Sequence, residues 1–80
     1  MNLTALESSV RPSLGAMGFT IKHVAEERQL HVSPVGSEEV SARILPDDGY
    51  GLFRILRPGS VIVGVSFDLC FGELLTALTG

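Results

Sequence analysis

No disulfide can form within this chain, because its 80 residues include a single cysteine, Cys70. Small secreted domains usually depend on disulfide staples, so a cytoplasmic setting is expected. Tryptophan is absent and tyrosine occurs once. Basic residues are sparse: six Lys and Arg stand against nine Asp and Glu, for a formal net charge of −3. A general nucleic-acid binder needs clustered cations to neutralise phosphates, and that class is disfavoured. No apolar run approaches the roughly 20 residues of a membrane-spanning helix. The opening Met1-Asn2-Leu3-Thr4 has neither a basic flank nor a long apolar stretch, so no signal peptide is expected. Chemical signatures are missing too. There is no Cys-x-x-Cys or His-x-x-x-His spacing for a metal and no nucleophile elbow. Gly49-Tyr50-Gly51 matches neither a P-loop nor a dinucleotide fingerprint. Neither metal nor cofactor is expected.

What the chain does have is apolar surface in strand-like order. Leu52–Phe67 reads as a β-hairpin around Arg57-Pro58-Gly59-Ser60, where proline presets φ and glycine accepts a positive one. With Arg57 facing Ser60, the expected pairs are Leu56 with Val61, Ile55 with Ile62, Arg54 with Val63, Phe53 with Gly64 and Leu52 with Val65. Side chains alternate along a strand. One face then bears Phe53, Ile55 and Ile62; the other bears Leu52, Leu56, Val61, Val63 and Val65, interrupted by Arg54.

Before the hairpin, Leu3, Leu6, Val10, Leu14 and Met17 follow helical spacing. Thr4 to Glu7 fits a capping box with Thr4 outside the helix. Pro12 opposes the pattern, and the expectation is a kink there or a split near Arg11. Gly18 is the expected helix stop. Strands are expected over Phe19–Ala25, Leu30–Val35 and Val40–Leu45. A four-residue loop pairs Ala25 with Leu30 and His23 with Val32, which keeps apolar residues on one face. Carried across, this register gives one row of His23, Val32, Ala42, Ile55 and Ile62. Behind it runs a row of Val24, His31, Arg43, Arg54 and Val63. The chain closes on a short helix with Asp68 as N-cap, a stripe of Phe71, Leu74, Leu75 and Leu78, and Gly80 at its end. The expected architecture is a single α+β domain over residues 1–80. It has two layers: an N-terminal helix, a five-stranded antiparallel meander and a short C-terminal helix, with both helices on one face.

Few side chains suggest chemistry. His23 and His31 fall on opposite faces in this register, which favours structural roles over a shared site. Cys70, between Leu69 and Phe71, reads as a buried small hydrophobe rather than a nucleophile. The acidic pairs Glu26-Glu27, Glu38-Glu39 and Asp47-Asp48 lie in loops. The first and third share one end of a meander and form an acidic rim suited to a basic partner, although solvated turns explain them as well. Arg43 and Arg54 are expected directly opposite each other beside His31. Like charges so placed destabilise a sheet, unless the stems splay into water or another chain supplies a counter-charge. With Leu45, Leu52, Leu56, Val61, Val63 and Val65 around them, the outer face has interface composition.

The leading expectation is therefore a small non-enzymatic interaction protein of the adaptor, chaperone or inhibitor type, a homodimer joined through that face. One alternative is a small enzyme or ligand-binding domain with a pocket near His23, Tyr50 and Cys70. Another is a weak nucleic-acid-binding sheet using Lys22, Arg43 and Arg54.

Overall fold

A computed structural model of the chain describes residues 3–47 and 52–79. The elements run α1 (Leu3–Ala16), β1 (Phe19–Val24), β2 (Gln29–Pro34), β3 (Ala42–Asp47), β4 (Leu52–Arg57), β5 (Ser60–Ser66) and α2 (Phe67–Thr79). The strands form one antiparallel meander in chain order. This is the α+β arrangement expected from the sequence.

In α1 the apolar stripe goes inward as far as Leu14: Leu3, Leu6, Val10 and Leu14 are all buried, whereas Met17, expected to continue it, lies in the turn beyond the helix and is exposed. Pro12 neither ends nor splits the helix, which is assigned as one run. Its ring displaces the hydrogen bond that would reach the Ser8 carbonyl, and both residues lie on the exposed side. Water can serve a carbonyl freed there. The capping box does not form. Leu3 is already helical and Thr4 lies inside the first turn, while Glu7 pairs forward with Arg11. The helix closes as Gly18 takes φ 87°, with Met17 N–H donating to Leu14 at 3.0 Å and Gly18 N–H to Gly15 at 3.1 Å.

The strand faces match the sequence reading, but two registers are shifted by two residues. Ile21 opposes Val32 and His23 opposes Leu30. Ala25 belongs to the turn rather than to β1, with Arg28 N–H bonded to its carbonyl at 3.2 Å. Val32 meets Ala42 as expected. Arg43 then meets Leu56, Ile44 meets Ile55, and Leu45 meets Arg54. The two arginines are therefore not opposite each other. A shift of two leaves every side chain on its original face, so the core survives it. Strand β3 also starts later and ends later than expected, running through Pro46 to Asp47.

Hairpin β4–β5 departs further. Pairing is regular from Arg57–Ser60 to Ile55–Ile62, then slips, so that Phe53 opposes Val65 and Leu52 opposes Ser66. Val63 and Gly64 together stand against Arg54, with Gly64 at φ 68°. This bulge moves Val65 to the inner face, where it is 5% exposed. Its expected place on the outer face is thereby corrected, as is the expected pairing of Phe53 with Gly64.

Helix α1 lies on β1 and β2, and α2 lies on β3, β4 and β5. Both cover the face carrying Ile21, Leu30, Val32, Ala42, Ile44, Phe53, Ile55 and Val65. Asp68 sits inside the first turn of α2 rather than capping it, because Phe67 is already helical. The inward side of α2 is Phe67, Cys70, Phe71, Leu74, Ala77 and Leu78; Leu75, expected in this stripe, is half-buried and does not join the core cluster. The Phe53 and Phe67 rings meet at 6.4 Å and 54°, a tilted geometry aromatic pairs favour. Arg57 Nη1 donates to the Ala77 carbonyl at 2.7 Å, a cation on the last turn of α2. Among the described residues, no helix is long and apolar enough to cross a membrane.

Candidate interaction face

Among the described residues no helix packs on the outer face of the sheet, because both lie on the other side. Its side chains come from alternate positions of each strand: Thr20 and Lys22, then His31, Arg43 and Leu45, then Leu52, Arg54 and Leu56, and last Val61 and Val63. Composition changes across the sheet. The β1–β2 side is polar, whereas the β4–β5 side is largely aliphatic. Val61 and Val63 are 57% and 62% exposed on the outermost strand, with half-buried Leu56 paired to Val61.

Asp47 and Arg54 organise the middle of this face. Arg54 Nη2 donates to Asp47 Oδ1 at 3.0 Å, and the Gly64 N–H donates to Asp47 Oδ2 at 2.8 Å. One carboxylate from β3 thus holds a side chain of β4 and the bulged backbone of β5. These bonds, the Gly64 N–H foremost, keep the Asp47 carboxyl below its usual range. Arg54 therefore has its counter-charge within the chain and leaves none to be supplied by another. Asp47 likewise leaves the acidic rim: it is a strand residue turned onto the sheet. Glu26 and Glu27 remain exposed in the β1–β2 turn, and Asp48 lies outside the described residues.

Arg43 is exposed and has no hydrogen bond or ion pair among the described residues. It shares a cross-strand row with Lys22 and His31. His31 Nε2 donates to Gln29 Oε1 at 2.9 Å and lies 3.7 Å from Glu27 Oε2. Comparison with known protein families, curated proteins and solved structures returns no match for this chain.

The remaining candidates do not converge. His23 is half-buried on the inner face and His31 is on the outer one, as their spacing implied. His23 lies on β1, while Cys70 lies on the helix above β3 to β5 and is fully buried. Burial pushes the Cys70 thiol up to about 11, which suppresses the thiolate. Tyr50 lies outside the described residues. Among the described residues, no group of three or more His, Cys, Asp or Glu could hold a metal ion. All four phenylalanines belong to the core side, so the basic row has no phenylalanine on which a base could stack. An open cleft of about 270 Å³ lies at one end of β3 and β4, lined by Val40, Arg43, Leu56, Arg57 and Pro58 among others.

Two features of the site were not foreseen from sequence: the Asp47 bridge and the bulge. A glycine inside a strand is a recognised bulge signal, so Gly64 could have been found. Asp47 could not, because its Asp-Asp-Gly context reads as a turn.

Proposed function

We propose that this chain is a small non-enzymatic interaction module that forms a homodimer through the outer face of its sheet. The observation behind the reading is the pair Val61 and Val63, more than half exposed side by side next to Leu56 on a face no helix covers. Apolar groups arranged this way lose surface to water unless another molecule shelters them. A two-fold contact presents the same patch on both copies. The exposed Glu26 and Glu27 at one end of the sheet suit a basic segment of a further protein, as an adaptor, chaperone or inhibitor requires. A cytoplasmic, thiol-reducing setting fits the lone buried cysteine.

Solution mass tests the reading. Light scattering over a wide concentration range is expected to show a dimer. Val63→Asp is expected to give a monomer with an unchanged circular-dichroism spectrum, because the side chain is solvent-facing in the single chain and such changes cost little. A wild-type chain that stays monomeric into the millimolar range overturns the proposal.

A further inference from the structure

Among the described residues the meander leaves two free edges, β1 and β5, and their chemistry differs. Strand β1 carries Lys22 and His23 at its centre, and charge on an edge strand discourages pairing. Strand β5 reads Ser-Val-Ile-Val-Gly-Val-Ser and has no charged residue. We infer that β5 pairs antiparallel with β5 of a second copy about a two-fold axis at Ile62, joining two five-stranded sheets into one. The inference rests on the homodimer reading above but moves its contact from the face to the edge: the copies join along β5, where Val61 and Val63 lie, and their outer faces are not packed together.

The register follows from the hairpin. Arg57 and Ser60 face each other across a two-residue turn, and Ile55 faces Ile62. The pair flanking such a turn bonds across it, and along an antiparallel ladder alternate residues bond to alternate sides. Ser60 and Ile62 therefore turn their backbone groups toward β4, while Val61 and Val63 turn theirs to the open edge. Outward residues have to meet outward residues. The straight segment is bounded by Gly59 at φ 80° and the bulged Gly64 at φ 68°. The alignment centred on Ile62 uses all of it. Val61 meets the partner's Val63, Val63 meets the partner's Val61, and Ile62 meets its own copy. β-branched pairs across a ladder are favourable, and the exposed valines of both copies join in one cluster.

Charge argues the same way. Packing two outer faces centre to centre brings the exposed Arg43 and Lys22 of one copy toward those of the other. Edge pairing sets neutral strand against neutral strand. It holds each Arg43 two strands back, roughly 10 Å from the β5 edge and about one Debye length away at moderate salt. Turn and bulge limit the contact at both ends, and each copy offers one such edge, so the assembly closes at two.

Ile62 gives the discriminating test. It lies on the inner face beneath α2, away from any contact made by the outer face. In the paired edge it stands opposite itself in a pair without mutual hydrogen bonds, where Cα atoms approach to about 4.5 Å, within disulfide range. Ile62→Cys treated with a mild oxidant such as diamide is expected to yield a covalent dimer on a non-reducing gel; the native Cys70 is buried and contributes none. In the unmodified protein, exchange of the Val61 and Val63 amides is expected to slow about tenfold or more as concentration rises through dimer formation. A dimeric mass with neither the cross-link nor the added protection overturns the edge geometry and leaves the dimer standing. A monomeric mass at every concentration overturns both.

Discussion

Cys70 and Asp47 show how single residues here answer to their surroundings. Cys70 is fully enclosed, and burial alone raises its thiol to about 11. Native protein is therefore expected to resist Ellman's reagent at neutral pH and to react fully once unfolded. As pH climbs from the usual thiol value toward 11, the folded state, which holds the proton more tightly, loses stability. Cys70→Ser places a hydroxyl among apolar neighbours and is expected to cost about 1–3 kcal/mol in urea titration. Asp47 runs the other way. The Gly64 N–H and the Arg54 guanidinium favour its charged form and depress its pKa. Its contribution is thus present above the unfolded value of about 4 and fades as pH falls through the lower folded value. Asp47→Asn is expected to flatten the acid side of the urea-midpoint curve against pH; an unchanged acid limb removes the bridge from the account. Cys70 was legible in sequence from its apolar neighbours. Asp47 was not, because the partner that matters is a backbone amide two strands away.

At the scale of elements, both helices exist because their inward stripes match the sheet, and each tolerates poor helix formers on its exposed side, Pro12 and Gly15 in α1 and Gly72 in α2. Pro12 falls on the solvent side of α1. Gly72 is exposed in α2, and a Cβ there meets nothing within 4 Å. Gly72→Ala is therefore expected to raise stability by about 1 kcal/mol, read as a higher urea midpoint with unchanged slope. The strands divide into legible and illegible features for a physical reason. Which face each side chain takes follows from a period of two, and the alternation of apolar residues fixed it correctly for four strands. How far each strand slides against the next is not set by alternation, since a slide of two keeps every face. That is why Arg43 and Arg54 were expected opposite each other and are instead offset, with Arg54 beside Asp47. In β5 the extra residue at the bulge reverses the alternation from Val65 onward, and the reading of that one side chain reversed with it.

For the whole molecule, the core is small, and one large side chain weighs heavily. A chain of this size has roughly 4–12 kcal/mol of stability to lose. Phe53 is 2% exposed and meets the ring of Phe67. Phe53→Ala is expected to cost about 3–5 kcal/mol, enough to bring the variant close to unfolding at ambient temperature, as a thermal melt reports. If association through β5 holds, melting temperature rises with protein concentration, and Val63→Asp abolishes that dependence.

By itself the amino-acid order determined the number and sequence of elements, the side of the sheet on which both helices lie, and most of the inward stripe of each helix, Met17 and Leu75 excepted. Those features arise from local periodicity and from turn residues such as Gly18 and Gly59, which act within a few positions of themselves. Tertiary structure alone decided the strand registers, the bulge that sends Val65 inward, and the clasp of Asp47 on Arg54 and Gly64. Each of these depends on groups distant in the chain meeting in space, where a bond between particular atoms selects among alignments that the pattern leaves equivalent.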